Sequence, residues 1–309
     1  MITSLFRKST PLNYSIVILG VLFFFFLYQI KHLTANNSMW YVTLKFGLLA
    51  IIFASLFLTN FIVKKNGMSK DSTYTVLFYF LFLLFFPSVL DNTSLLMSNL
   101  FILLATRRII SLHSLKASKE KIFDASIWVF IAALFHFWSI LFMILIFISV
   151  LFHAARDYRN WFLPFIALSA VAIIFVVASV YFKTDWINQL MAQSAIDLRF
   201  NYFTNHFQNL ALSVYATIAL FFMVSLLLTM SNRPLILHPT YKKVLSAVII
   251  GIGIFVISPN KSNDILMFTF APLAMITTTH IETAQAKWKK EVVLAFLIIA
   301  GIVAFFAQL

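Results

Sequence analysis

The positive charges of this chain fall into clusters that alternate with long apolar runs. The sequence holds 23 Lys and Arg in 309 residues, and the runs between the clusters are rich in Phe, Leu and Ile. When the runs are folded as membrane spans with the N-terminus in the cytoplasm, about 18 cations fall on the inner side and about 4 on the outer side. The remaining cation, Lys45, falls within a span. This asymmetry predicts a polytopic membrane protein whose basic loops face the cytoplasm.

Composition excludes a soluble fold. Hydrophobic residues make up 62% of the chain and charged residues 11%, whereas a globular domain needs roughly a quarter of its residues charged to cover its surface. The net charge of +13 is explained by positive-inside bias over several short loops, so the bilayer is the expected partner and nucleic acid is not. The absence of Cys excludes disulfides, thiolate catalysis and cysteine metal sites.

The apolar runs predict an all-α bundle of about eleven spans in a single membrane domain, residues 1–309, because one span needs about 20 apolar residues. The stretch 73–112 is long enough for two crossings, and Pro87 followed by Asp91-Asn92-Thr93-Ser94 marks the break between them. Seven further spans follow directly from the apolar runs: Tyr14–Ile30, Trp40–Val63, Trp161–Phe182, Phe207–Met230, Val244–Ser258, Asp264–Ile281 and Glu291–Gln308.

The stretch 122–153 decides the topology. As one helix it would be roughly 48 Å long, too long for one comfortable span and short for two. Basic clusters lie at 107–121 and 156–159, and both can be cytoplasmic only if the chain reverses between them. A single crossing would leave ten spans and place the later basic loops outside. The charges therefore predict a hairpin of short helices that turns at Phe135-His136-Phe137-Trp138. For the whole chain they predict an N-terminus on the inner side and a C-terminus on the outer side.

Strong catalytic motifs are absent from the chain. It contains no G-x-x-x-x-G-K, G-x-G-x-x-G, H-E-x-x-H or G-x-S-x-G sequence, so nucleotide hydrolysis, dinucleotide binding and zinc proteolysis find no support. The spans also lack the ladder of Arg or the chain of carboxylates that is typical of voltage sensors and proton pumps. We expect no cofactor and no bound metal.

The candidate site residues gather at the predicted outer face. Three are predicted as catalytic and three as substrate-binding: Asp91, His136 and Arg199 in the first group, and Lys261, Asp264 and Lys45 in the second. Cationic side chains at this depth would hold phosphate oxygens of a lipid-linked pyrophosphate. An imidazole or a carboxylate would take the proton from an attacking sugar hydroxyl.

Each candidate also has a simpler interpretation. Asp91 and Asp264 suit helix caps, Lys261 suits a turn residue, and His136 suits an interfacial turn. Arg199 suits a contact to lipid headgroups, and Lys45 can extend its charge outward along its own stem. Lys45 could instead face inward beside one of the two Asp residues. Both interpretations remain open from the sequence.

The outer loop 183–206 is the longest one predicted on that side. Apolar residues from Trp186 onward recur at helical spacing, which predicts a helix lying in the outer interface. Farther along the loop, Arg199 and His206 flank Asn201 and Tyr202. On the inner side, Asp124 is interpreted as the N-cap of the first hairpin helix.

The run Ile131-Ala132-Ala133-Leu134-Phe135-His136-Phe137-Trp138-Ser139-Ile140-Leu141, preceded by a basic helix end at Arg107-Arg108, resembles part of the Wzy and EpsG-like polysaccharide polymerases. The resemblance covers about 60 residues, from Asp91 to Val150. It implies a multi-pass enzyme that joins glycan units on undecaprenyl pyrophosphate at the outer face, with His136 and Arg199 as the positions of interest. The chain differs in having no large outer loop rich in Arg.

Over its full length the chain resembles an uncharacterised family of bacterial integral membrane proteins of about this size. The likeness lies in Ser4-Leu5-Phe6-Arg7-Lys8-Ser9, the Asp91 turn, Phe123-Asp124-Ala125-Ser126, and Asn260-Lys261 with Asn263-Asp264. It implies location and topology only.

Together these features predict a multi-pass protein of a bacterial cytoplasmic (inner) membrane. The first functional hypothesis is a role in envelope glycan or lipid-linked saccharide assembly, with an outward-facing site and a polyprenyl-linked saccharide as partner. The second is a non-enzymatic subunit or scaffold of a membrane complex, whose partners are other membrane proteins. The third is a small transporter, which the scarcity of Gly and Pro within the spans disfavours.

Overall fold

The computed structural model describes residues 2–32, 39–114, 116–199 and 205–309. Within these ranges the chain folds into thirteen α-helices joined by turns and 3-10 segments. In chain order the helices are α1 (Ile2–Phe6), α2 (Pro11–Lys31), α3 (Met39–Lys65), α4 (Tyr74–Leu84), α5 (Thr93–Ile110), α6 (Ser118–Phe135), α7 (Met143–His153), α8 (Arg159–Tyr181), α9 (Trp186–Gln193), α10 (His206–Thr229), α11 (His238–Ile257), α12 (Met267–Thr283) and α13 (Lys287–Gln308).

Eight of the helical segments are long and apolar enough to cross a membrane: those built on α2, α3, α5, α8, α10, α11, α12 and α13. Two other apolar segments are shorter, α4 with 11 residues and the segment Phe137–His153. α6 has 18 residues but begins with the charged sequence SKEKIFD. The predicted all-α polytopic bundle is confirmed, and by helix length and composition the chain is a multi-pass membrane protein. The count of about eleven full crossings stays a prediction.

Contacts between turns divide the bundle into two ends. We call one the basic end; it holds the segments 64–73, 107–114, 116–121, 154–160, 231–243 and 282–290. Lys119 Nζ binds Asp157 Oδ2 at 2.9 Å, and Arg108 Nη2 binds Asp124 Oδ2 at 2.9 Å. The guanidinium of Arg107 lies 4.8 Å from the ring centroid of Phe61, near the end of α3. These contacts join the end of α3 to the segments 107–114, 116–121 and 154–160. The bonds of Ser69 and Ser72 to Glu282 and of Arg233 to Thr283 place the remaining predicted inner loops at the same end of the bundle.

The other end of the bundle, which we call the opposite end, holds the segments 85–92, 136, 182–199 and 257–266. These segments include the predicted outer turns at Asp91 and His136 and parts of the predicted outer loops 183–206 and 259–263. Gln308, at the end of α13, donates to Phe85 O at 2.8 Å. Asn263 donates to Gln208 O, near the start of α10, at 3.0 Å. Asp197 N donates to Ile257 O at 3.1 Å. Residues 33–38 of the first predicted outer loop lie outside the described residues.

The predicted helical hairpin is present, and the chain reverses at His136. The backbone of this residue is extended (φ −142°, ψ 106°) and ends α6. At the other end of the hairpin, the Lys119–Asp157 ion pair joins the start of α6 to the segment after α7. α6 begins at Ser118, before the predicted residue 122. Asp124 therefore lies inside the helix and pairs with Arg108, so its interpretation as the N-cap was wrong.

α4 and α12 form the centre of the bundle. Every residue of α4 is buried, and 94% of the apolar stretch that includes α12 is buried. The two helices meet at a hydrogen bond between Thr75 and Thr278 hydroxyls, 3.1 Å long. At the periphery only 22% of the apolar stretch of α8 is buried, and many of its exposed side chains are apolar, among them Phe162, Ile166 and Ile173. Apolar lateral faces of this extent suit contact with lipid tails.

Candidate functional site

Lys45 and Asp91 form an ion pair at the opposite end of the bundle. Asp91 ends the 3-10 segment Pro87–Asp91, which continues α4 after the break that the sequence predicted. Lys45 comes from the first turns of α3, and its Nζ also lies 4.8 Å from the ring centroid of Tyr41. Lys45 therefore faces inward to a carboxylate, which was one of its two predicted interpretations. The capping residue of α5 is Asn92, which accepts from Leu95 N at 3.2 Å, so Asp91 is not the cap.

Gln29 completes this part of the site. Its Nε2 donates to Asp91 Oδ1 at 3.5 Å, whereas its Oε1 is buried and has no hydrogen-bond partner among the described residues. The side chain as a whole is 9% exposed. An unpaired buried amide oxygen is costly, about 1–3 kcal/mol, unless a donor reaches it. Gln29 thus presents an acceptor that a ligand hydroxyl would satisfy.

A groove of about 200 Å³ lies between α2 and α3 and leads to this ion pair. Phe25, Phe26 and Ile30 line it from α2, and Val42 and Phe46 line it from α3. Gln29 and Lys45 form its polar part. Because Phe26, Ile30 and Phe46 are exposed, the groove opens sideways from the bundle. An apolar chain could lie in it with a polar group beside Lys45.

Asp264 joins the same region from the start of α12. Its carboxylate accepts a short hydrogen bond from the Ser88 hydroxyl, within the same 3-10 segment that carries Asp91. Asn92 also faces this carboxylate, and Tyr28 is close enough to interact with it electrostatically. Asp264 is buried and lies inside the 3-10 segment Asn263–Leu266, so its side chain is bound to Ser88 rather than capping a helix. We call Lys45, Asp91 and Asp264, with Gln29 and Ser88, the carboxylate cluster.

His136 lies in a second group of polar residues. Its Nε2 is 3.2 Å from Ser258 Oγ, and Ser258 in turn donates to Ile254 O at 2.7 Å. Nε2 therefore acts as the donor, which leaves Nδ1 as an acceptor in the neutral ring. The ring centroid is 5.7 Å from that of Phe268. Burial lowers the pKa of His136 to about 4, so the imidazole is neutral at physiological pH.

Lys261 reaches the same place from the loop after α11. Its Nζ donates to Asp197 O and, at 3.3 Å, to Ser258 O. Asp197 Oδ1 accepts from Arg199 N at 2.8 Å. The Arg199 side chain itself is exposed. We call His136, Ser258, Lys261 and Asp197 the imidazole cluster.

The structure thus distributes five of the six predicted residues over two neighbouring clusters. Lys45, Asp91 and Asp264 belong to one, and His136 and Lys261 to the other. The loop 258–264 connects them, because its first residues reach the imidazole cluster and its last one reaches Ser88. Arg199 contributes a backbone contact and an exposed side chain. Asn201 and Tyr202 lie outside the described residues, and the predicted helix in the same loop is present as α9.

Five contributors were not predicted: Tyr28, Gln29, Ser88, Asp197 and Ser258. Gln29 carried a detectable signal, because a polar amide follows an unbroken apolar run just before a basic helix end. Ser88 and Ser258 stand beside Pro87 and Pro259 and look like ordinary turn residues. The described residues contain no group of three His, Asp or Glu that could hold a metal ion.

Comparison with known proteins identifies a family. Residues 3–309 match the model of DUF6427, a family of unknown function. The chain belongs to DUF6427. Membership confirms the predicted likeness to an uncharacterised family over the full length. No curated protein and no solved structure matches the chain. The DUF6427 description assigns no reaction, so the chemistry of the two clusters is argued from their geometry.

Proposed function

We propose that this protein binds a lipid-linked saccharide at the opposite end of its bundle and takes part in envelope glycan assembly at the outer face of a bacterial cytoplasmic membrane. One observation carries the proposal. The sideways groove between α2 and α3 leads to Lys45, Asp91 and the unpaired Gln29 Oε1. A groove open to lipid that ends in a cation, a carboxylate and a free acceptor suits a polyprenyl chain carrying a phosphate and a sugar.

The roles of the residues follow from their charges. Lys45 would exchange its carboxylate partner for a phosphate oxygen, which is a comparable charge-assisted bond. Gln29 Oε1 would accept a sugar hydroxyl. If the protein transfers glycosyl groups, an acceptor hydroxyl attacks the anomeric carbon of the donor sugar, and the bond from that carbon to the pyrophosphate oxygen breaks. The bonding electron pair leaves with the lipid pyrophosphate, and the proton passes to Asp91, Asp264 or His136 acting as base.

Genetic replacement in the native host tests this function. Lys45→Gln and Asp91→Asn are compared with Lys31→Gln, which changes an exposed cation at the end of α2. Membrane levels are verified by immunoblot, and surface polysaccharide and lipid-linked precursors are separated on gels. We expect shortened or missing glycan in the first two strains and unchanged glycan in the third. Unaltered glycan and precursors in a deletion strain would refute the proposal.

The catalytic part is tested separately. His136→Ala and Arg199→Ala should reduce the amount of polymerised glycan. Lipid-linked precursors should accumulate, because these variants still bind the lipid-linked saccharide at Lys45 but do not transfer it. Lys183→Ala, another exposed cation at this end, serves as the control for Arg199. Normal glycan in both variants would refute the polymerase-like reaction, and only the proposed binding of a lipid-linked saccharide would stand.

The second candidate is a non-enzymatic subunit of a membrane complex. It is favoured because the polar side chains of the clusters already have partners within the protein. Asp91 pairs with Lys45, and Asp264 accepts a hydrogen bond from Ser88. Lys261 is likewise bound by Asp197 O. Affinity purification in mild detergent should then recover a stoichiometric membrane partner. Recovery of the chain alone would count against this function.

A further inference from the structure

A polar pocket of about 410 Å³ lies at the basic end, away from both clusters. Arg233 and Lys70 supply its positive charges, and Thr229, His280 and Thr283 supply neutral polar groups. Arg233 follows α10, His280 lies in α12, and Lys70 lies in the turn between α3 and α4. The pocket is therefore built by three separate parts of the chain. Nothing in the proposed function uses it.

The pocket has an excess of positive charge. Glu282 also lines it, but its Oε1 accepts from the Ser69 and Ser72 hydroxyls at 2.6 Å each, and its Oε2 accepts from Lys70 N at 3.0 Å. Both carboxylate oxygens are thus occupied by neutral donors of one turn. Neither Arg233 nor the Lys70 ammonium forms an ion pair within the described residues.

Arg233 is held in place with donors to spare. Its Nη2 donates to Thr279 O at 3.4 Å and to Thr283 Oγ1 at 3.3 Å, and its guanidinium lies 5.1 Å from the ring centroid of Tyr241. The Tyr241 hydroxyl is a further hydrogen-bond partner of the Arg233 side chain, which leaves two of its five N–H donors without a named partner. A planar guanidinium that is stacked and half-bonded is well prepared for an anion with several oxygens. Phosphate is the common anion of that shape.

The pocket continues into an apolar groove. His280 lies edge-on to Phe221 and Phe222, with ring centroids 5.5 and 5.4 Å apart. These two Phe residues line a groove of about 530 Å³ between α10 and α13. The groove begins near Ser213 on α10 and is closed on the other side by α13 residues such as Val292. A polar pocket and an apolar groove thus share one helix, with His280 between them.

The dimensions suit one leaflet of a bilayer. From residue 213 to residue 222, α10 rises about 14 Å, close to half of a hydrocarbon core of about 30 Å. From residue 213 to Thr229 the rise is about 24 Å, which adds the depth of a headgroup. An ion without an apolar part would leave the groove unused.

We propose that this site binds one anionic phospholipid, with its phosphate on Arg233 and Lys70 and an acyl chain between α10 and α13. The phosphate oxygens take the guanidinium donors that the protein leaves open, and Thr229 and Thr283 face the headgroup. The lipid belongs to the leaflet at the basic end. It fills the space beside α12 without entering the carboxylate cluster, so the site does not depend on the proposed function.

The test measures lipid binding by the full chain with native mass spectrometry in mild detergent. Phosphatidylglycerol is titrated against phosphatidylcholine with the same acyl chains. We expect preferential retention of phosphatidylglycerol, and binding at least about tenfold weaker in Arg233→Gln and in Lys70→Gln. Lys289→Gln changes an exposed cation at the same end and should alter binding by less than about twofold. Lys70 is exposed, so its variant preserves the test if Arg233→Gln does not fold.

Two further arms separate a lipid from a free phosphate. Val292→Trp fills the groove at a side chain that is 58% exposed, and it should weaken phosphatidylglycerol binding while leaving the polar pocket intact. Soluble glycerol phosphate should not displace the lipid at equal concentration. The proposal is overturned if Lys70→Gln and Arg233→Gln bind as the unaltered chain does. It is equally overturned if Val292→Trp has no effect, or if glycerol phosphate competes on equal terms.

Discussion

The contact between α11 and α12 can be tested with a single methyl group. At Gly251 an added Cβ would lie 2.7 Å from Thr269 Cγ2 and 3.3 Å from the Phe268 carbonyl carbon. Thr269 has little freedom to withdraw, because its hydroxyl donates to Leu266 O at 2.6 Å and meets Tyr215 OH at 2.6 Å. Gly251→Ala should therefore force α11 and α12 apart or break this hydrogen-bonded pair.

Gly253→Ala is the matched control. Gly253 lies in the same helix, two residues later, and a Cβ there would meet nothing within 4 Å. The two substitutions gain the same helix propensity, about 1 kcal/mol, so this contribution cancels in their difference. What remains is the cost of overpacking, about 1–3 kcal/mol. We expect Gly251→Ala to be less stable than Gly253→Ala by that amount.

The free energy of unfolding of the two variants would be measured by titration from mild detergent into SDS micelles, followed by Trp fluorescence. Equal stability of the two variants would show that α11 and α12 do not approach as closely as the Gly251–Thr269 contact requires. If the unfolding free energy depended less steeply on SDS in one variant while the midpoint of unfolding was unchanged, the unfolded state would be altered. The two variants would then be compared by their thermal unfolding midpoints.

Three more predictions concern the opposite end of the bundle, which holds the carboxylate and imidazole clusters. Asp91→Asn and Lys45→Gln should each cost about 1–2 kcal/mol of unfolding free energy, and the double variant should show a coupling of about 1 kcal/mol in a double-mutant cycle; strict additivity would contradict the ion pair. Asn92→Ala removes the cap of α5 and should cost about 1 kcal/mol in the same titration. The pKa of His136 is 6.5 in the unfolded chain and about 4 in the folded protein. Its contribution to the free energy of unfolding is therefore complete above pH 6.5 and is lost as the pH falls toward 4. His136→Gln should remove as much as about 3 kcal/mol of pH dependence in that window, and an unchanged profile would contradict the burial of the ring.

The ends of the bundle could be predicted because the signal is local. Each basic cluster stands beside its own helix end, so charge and length together located the reversal at His136. Helix starts were less accurate, since α6 gains its first turn from charged residues that resemble loop. Asp91 and Asn92 are neighbours with similar capping propensity, so the sequence does not distinguish them. In the structure Asn92 caps α5 and Asp91 pairs with Lys45.

The partners of the site residues could not be predicted, because they come from distant parts of the chain. Lys45 meets Asp91 across 46 positions, and Ser88 meets Asp264 across 176. These contacts depend on which helices are neighbours in the bundle, and the hydropathy of the sequence does not reveal which helices are neighbours. The choice between the two interpretations of Lys45 likewise needed the position of α2, which supplies Gln29 beside the ion pair.

α12 explains why both proposed ligands are lipids. Together with the 3-10 segment that precedes it, α12 extends from Asp264 to His280, a rise of about 24 Å through the centre of the bundle. The hydroxyls of Thr277, Thr278 and Thr279 donate to carbonyls of the same helix, so polar groups along α12 are satisfied locally. The polar sites at its two ends therefore continue into the peripheral grooves, between α2 and α3 and between α10 and α13. A ligand that uses either groove must enter sideways from the bilayer, and it must combine an apolar chain with a polar head.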